Sequence, residues 1–145
     1  MSDELTDLLD KQAIIDLTIA YGWFLDHGPR ERLREVFTED ALAIYVGEPF
    51  EGIDEIISKV DGALGRLSIS QHIISNQQVT LNGDSATCRC YLHAQHTVYG
   101  HEGGENFVMA GRYIDDVVRT EAGWRIKRRE LVIDWTEGNP KVTGR

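Results

Sequence analysis

The sequence predicts an α+β domain in which helices from the N-terminal half cover one face of a curved, mixed or antiparallel sheet. Three observations carry this expectation. Apolar residues recur at helical spacing only as far as Leu64. Beyond it, long segments alternate with a period of two. Those segments are separated by turn signals, the strongest being "NGD" at residues 82–84.

The elements follow in order. A first helix is predicted over residues 6–25, with Leu9, Ala13, Leu17, Ala20 and Phe24 in one stripe and Leu8, Ile15, Ile19 and Trp23 in another. Two apolar stripes require cover on both flanks. Gly28 and Pro29 break this helix, and "PRERLREVF" restarts as a short second one burying Leu33, Val36 and Phe37. "ALAIYVG" alternates as the first strand, and "GEPFEG" reads as a turn. "IDEIISKVDGAL" is the third helix, with Ile53, Ile56, Ile57 and Val60 on its apolar face. "SISQHIISNQQVTL" and "SATCRCYLHAQHTVYG" then flank the hairpin turn. A glycine-rich "GHEGGE" precedes the strand "NFVMAGRYIDDVVR", and "TEAG" turns into "WRIKRRELVIDW". One domain is expected over residues 1–136, with a loose tail over 137–145.

Charge and composition narrow the function. With 24 acidic against 15 basic residues the chain carries −9, which repels nucleic acid and anionic membranes. In "RIKRRE", strand alternation puts Arg125, Lys127 and Arg129 on one side, the pattern of a solvated sheet face. No apolar run reaches the roughly 18 residues of a membrane span, and the acidic start "MSDELTDLLD" is unlike a signal peptide, so a cytoplasmic protein is expected. Cys88 and Cys90 project to one face of a strand and are poorly placed to bridge each other. They read as buried thiols, and His93 falls on the opposite face, which argues against a metal site.

Face assignment locates candidate chemistry. Ala86, Cys88, Cys90, Leu92, Ala94 and His96 share one side of their strand, and its small residues suit a sheet that curls around a cavity. Tyr45 shares a strand face with Ala41 and Ala43, and His72 shares one with Ser70 and Ile74. Asp26 ends the series Ile15, Ile19, Gly22 at helical spacing, so a carboxylate finishes an apolar stripe. Two uses of Asp26 stay open on this evidence: a cap for the turn before Pro29, or a member of a buried pair. His72 and His96, taken singly, read better as structural histidines, and it is their joint occurrence with Asp26 that favours a site.

"GWFLD", "FTEDA", "SQHIISN" and "GRYIDDVVRTEAGWRIKR", in this order, resemble the SnoaL-like branch of the nuclear transport factor 2-like superfamily. Within it the chain is similar to the scytalone dehydratase group, which includes a bile-acid dehydratase and hexachlorocyclohexane dehydrochlorinase. The resemblance covers nearly the whole chain and implies a cone-shaped α+β barrel around a pocket. It implies that Asp26 and His72 form a catalytic dyad, that His96 protonates a leaving group, and that Tyr45 and Tyr21 stabilise an oxyanion. Trp23, Leu92, Ala94 and Arg112 are expected in the substrate pocket. The implied activity is that of a dehydratase-like lyase acting on a small cyclic or aromatic molecule, with no cofactor or metal required. A polyketide-cyclase or ketosteroid-isomerase type of activity, or a non-catalytic ligand-binding or oligomerisation module, is the alternative. The resemblance also implies a homo-oligomer, either dimer or trimer.

Overall fold

A computed structural model describes residues 3–144. Helix α1 (Asp3–His27) opens with Asp3 and Glu4 in its first turn, where carboxylates complement the helix dipole. It buries Ile14, Thr18, Tyr21, Gly22, Phe24 and Leu25. The expected cover on both flanks is absent: Leu8 and Trp23 are each 62% exposed, because α1 lies chiefly on one strand and touches a second near its start and again at Tyr21. Near the start of α1, Asp10 accepts hydrogen bonds from Trp124 Nε1 (3.0 Å) and Arg119 Nη2 (2.7 Å).

"RERLRE" forms a short 3-10 helix (Arg30–Glu35) rather than an α-helical turn, and buries Leu33. Strand β1 (Phe37–Tyr45) follows. The stretch expected as a turn contains a further strand, β2 (Glu48–Glu51), which pairs antiparallel with β1. Only Val46 and Gly47 make the turn, both at positive φ (54° and 81°), the conformation that a tight hairpin needs. Helix α2 (Ile53–Leu64) then buries Ile53, Ile56, Ile57, Val60 and Leu64.

Four long strands complete the fold: β3 (Ile69–Asn82), β4 (Ser85–Thr97), β5 (Asn106–Thr120) and β6 (Gly123–Gly138). The sheet order is β2-β1-β6-β5-β4-β3, with β1 parallel to β6 and every other pair antiparallel. The sheet is therefore mixed and open at β2 and β3. Its inner face and the helices enclose one core that includes Phe24, Leu33, Phe37, Ile56, Cys90 and Ile126.

Two expectations are corrected by this geometry. Arg129 was placed with Arg125 and Lys127 on a solvated face, yet it is fully buried. Val117 pairs with Ile126 and Asp116 with Arg128, so Lys127 is an extra residue in β6 and the alternation reverses beyond it. Residues 137–144 of the stretch expected as a loose tail are packed in place. Pro140–Thr143 form a 3-10 helix whose Val142 packs on Phe107 and Met109. Asn139 anchors the segment by donating from Nδ2 to the carbonyls of Glu102 (3.1 Å) and Gly104 (3.0 Å).

Candidate active site

The dyad begins with a close approach between helix and sheet. A Cβ on Gly22 would lie 3.3 Å from the carbonyl oxygen of His72 and 3.3 Å from Ile74 Cγ1, so the missing side chain lets α1 settle against β3. One turn further on, Asp26 reaches the same strand. Its Oδ1 accepts from Ser70 Oγ (2.9 Å) and lies 2.7 Å from His72 Nδ1, while Oδ2 accepts the His72 backbone N–H at 2.7 Å. The two side chains are only 8% and 5% exposed.

Burial pushes the Asp26 carboxyl up, but the hydrogen bonds from the His72 ring, the His72 backbone and Ser70 outweigh it. The net effect holds Asp26 below the ordinary aspartate value, so it is ionised at neutral pH. A carboxylate can only accept, so the proton between the two groups sits on Nδ1 of the imidazole. In the neutral ring Nε2 then carries the lone pair.

His72 borders a cavity of about 740 Å³ lined by both helices and the inner sheet face. His96, from β4, shares the cavity, and its ring lies 5.7 Å from that of His72 at 87°. Its Nδ1 donates to the Phe107 carbonyl (3.1 Å). Across the cavity the Tyr21 and Tyr45 hydroxyls are 2.9 Å apart. Burial, then the neighbouring Tyr21, pushes the Tyr45 phenol well above its usual value, so it stays a neutral donor. Leu92 and Ala94 form part of the apolar wall.

The remaining expected residues lie elsewhere. Trp23 does not enter the cavity; it packs on His27 (5.5 Å between centroids) and lines a separate outer groove. Arg112 is also outside, because strand alternation directs it to the outer face, where it grips Asp134 with Nε (3.0 Å) and Nη2 (3.1 Å). Asp26 itself borders the outer groove and not the cavity, whereas His72 borders both. Tyr21 and Asp26, five residues apart on α1, thus serve opposite sides of one wall.

Sequence reasoning missed a charge beneath the tyrosines. Arg129 donates from Nε (2.8 Å) and Nη2 (2.7 Å) to the two Asp115 oxygens, with both side chains at 0% exposure. Its guanidinium carbon lies 4.0 Å from the Tyr113 ring centroid and 4.3 Å from that of Tyr21. Burial disfavours the guanidinium charge, but the Asp115 carboxylate prevails and keeps it protonated. Alternation along β5 would have turned Tyr113 and Asp115 inward with Phe107 and Met109; the bulge at Lys127 hid their partner. Burial raises the thiols of Cys88 to about 12 and Cys90 to about 11, so neither is a nucleophile at neutral pH. Among the described residues, no three His, Cys, Asp or Glu side chains are grouped to hold a metal ion, and no helix is long and apolar enough to cross a membrane.

A family model described as a SnoaL-like domain matches residues 6–130. Terrestric acid biosynthesis cluster protein E of Penicillium crustosum is 30% identical over 146 residues, covering 95% of this chain and 92% of that one. A crystal structure of a candidate scytalone dehydratase from Novosphingobium aromaticivorans superposes with a TM-score of 0.84 at 26% identity, over 92% of this chain and 90% of that one. Hexachlorocyclohexane dehydrochlorinase LinA-type3 from Novosphingobium barchaimii gives a TM-score of 0.83 at 17% identity, with 95% of each chain covered, a likeness of fold.

Proposed function

This chain belongs to the SnoaL-like domain family of the nuclear transport factor 2-like superfamily, near the scytalone dehydratase group, and from that premise we propose that it is a small-molecule lyase that eliminates water from a cyclic or aromatic hydroxy ketone. The observation that carries this reading is the 2.7 Å contact of Asp26 with a His72 ring that borders the cavity. A cavity of about 740 Å³ suits such a substrate, since small-molecule sites run to roughly 300–1,000 Å³.

The proposed reaction is a β-elimination. His72 Nε2 takes the proton from the carbon next to the carbonyl, and the imidazolium that forms is stabilised by Asp26. The C–H electron pair moves into an enolate whose oxygen is met by the paired hydroxyls of Tyr21 and Tyr45. As the carbon–carbon double bond forms, the C–OH bond breaks and the hydroxyl leaves as water with the Nε2 proton of His96, which starts the cycle as the imidazolium with its Nδ1–H on the Phe107 carbonyl. Return of a proton from His72 to His96 restores the starting state. A second histidine 5.7 Å from the base favours elimination over simple double-bond migration, which needs no leaving-group acid.

The test is turnover of hydroxylated cyclic ketones, with loss of 18 mass units read by mass spectrometry. Asp26→Asn and His72→Ala are expected to slow turnover by about 10² to 10⁴ while circular dichroism stays native. Wild-type rates in both variants would refute the dyad, and a product isomeric with its substrate would refute elimination.

A further inference from the structure

Two cations at the cavity take no part in the chemistry described so far. Lys59 lies on the inner side of α2, Arg66 follows just past that helix, and both side chains line the cavity. Most other arginines of this acidic chain are matched with carboxylates, as Arg30 is with Asp61, Arg34 with Glu31 and Asp54, Arg112 with Asp134, and Arg119 with Asp10 and Asp84, while Arg89 bonds Gln78 and Arg125 the Trp124 carbonyl. Among the described residues no carboxylate pairs with Lys59 or Arg66.

Their positions are held by other contacts. The Lys59 ammonium sits 5.2 Å from the Phe50 ring centroid, and Phe50 is itself a lining residue. The Arg66 guanidinium fills the space in front of Gly144 that a Cβ would occupy. Among the described residues Glu55 is the one acidic lining residue, and its Oε2 is engaged by the Glu51 backbone N–H at 2.8 Å. A helix C-terminus attracts cations, which would account for Arg66 alone. It does not account for Lys59, seven residues before Arg66 and set against an aromatic ring.

We propose that the substrate of this cavity carries a carboxylate, which Lys59 and Arg66 hold at the rim while the ring passes inward to His72 and Tyr45. This rests on the lyase reading only for the identity of the pocket, and names the substrate class within it. A rim that is positive on a chain of net charge −9 creates a local attraction that the whole molecule opposes, so it selects for an anion small enough to enter the cavity.

Isothermal titration calorimetry with 2-naphthoate and its neutral analogue 2-naphthamide tests the assignment without requiring turnover. Naphthoate is expected to bind the wild-type protein roughly tenfold more tightly, the scale of one or two partly exposed charge contacts. In the Lys59→Met, Arg66→Gln double variant that advantage disappears and naphthamide binding is unchanged. Equal affinities in the wild type, a preference that survives the double variant, or no binding of either probe would each overturn the proposal. A retained carboxylate preference together with full turnover in His72→Ala would sink the lyase reading and leave the anion site standing. Slowed turnover with no carboxylate preference would do the reverse.

Discussion

Removing the Asp115 carboxylate isolates the buried cation under the tyrosines. Asp115→Ala leaves the Arg129 guanidinium at 0% exposure without the acceptor of both its short hydrogen bonds. Nη1 already lacks a hydrogen-bond partner, so nothing nearby takes over. The Tyr21 and Tyr113 rings remain at 4.3 and 4.0 Å and retain part of the attraction. Breaking a buried pair from one side costs about 3–5 kcal/mol, and the remaining ring contacts favour the lower half of that range. For 145 residues the unfolding entropy is about 0.3 kcal/mol/K, so the melting temperature should fall by about 10–13 °C. Replacing both partners, in Asp115→Leu with Arg129→Met, removes the orphaned charge and should recover most of the loss. Urea denaturation of the wild type, Asp115→Leu, Arg129→Met and the double variant closes the cycle. A loss below about 1 kcal/mol in Asp115→Ala, or strict additivity in the cycle, would show that the pair is hydrated or relaxes freely, contrary to its burial.

The Asp26 carboxyl is held below its ordinary value, so it contributes stability above about pH 4 that is lost as pH falls through its folded-state pKa. Asp26→Asn should therefore flatten the decline in melting temperature below about pH 4; slopes identical to the wild type would show that the folded and unfolded carboxyls titrate alike. Gly111→Ala would set a Cβ 2.1 Å from the Val132 carbonyl oxygen and 3.0 Å from Ile133 Cα, at the bulge where β5 meets β6. Backbone atoms cannot swing aside, so denaturation should show a loss of about 1–3 kcal/mol. Gly62→Ala is the control, with nothing within 4 Å of the new methyl, and should be neutral or slightly stabilising.

The helices and most strand faces were legible because they depend on periodicity alone. Ile53, Ile56, Ile57 and Val60 declare a buried helix face, and the run from Ala86 to His96 declares the inner side of β4. The meeting of Asp26 with His72 was proposed from resemblance, since 46 residues separate them and neither period says which helix side meets which strand. Three-dimensional packing decided the rest. One extra residue at Lys127 reverses the faces of β6 and turns Arg129 from a surface charge into the partner of Asp115. The open β3 edge leaves Trp23 outside, and the contacts of Val142 and Asn139 fold the last residues onto the sheet. A local pattern records which side of its own element a residue occupies. Bulges, close approaches and the side on which two elements meet depend on atoms distant in the chain, so they exist only once the whole is packed.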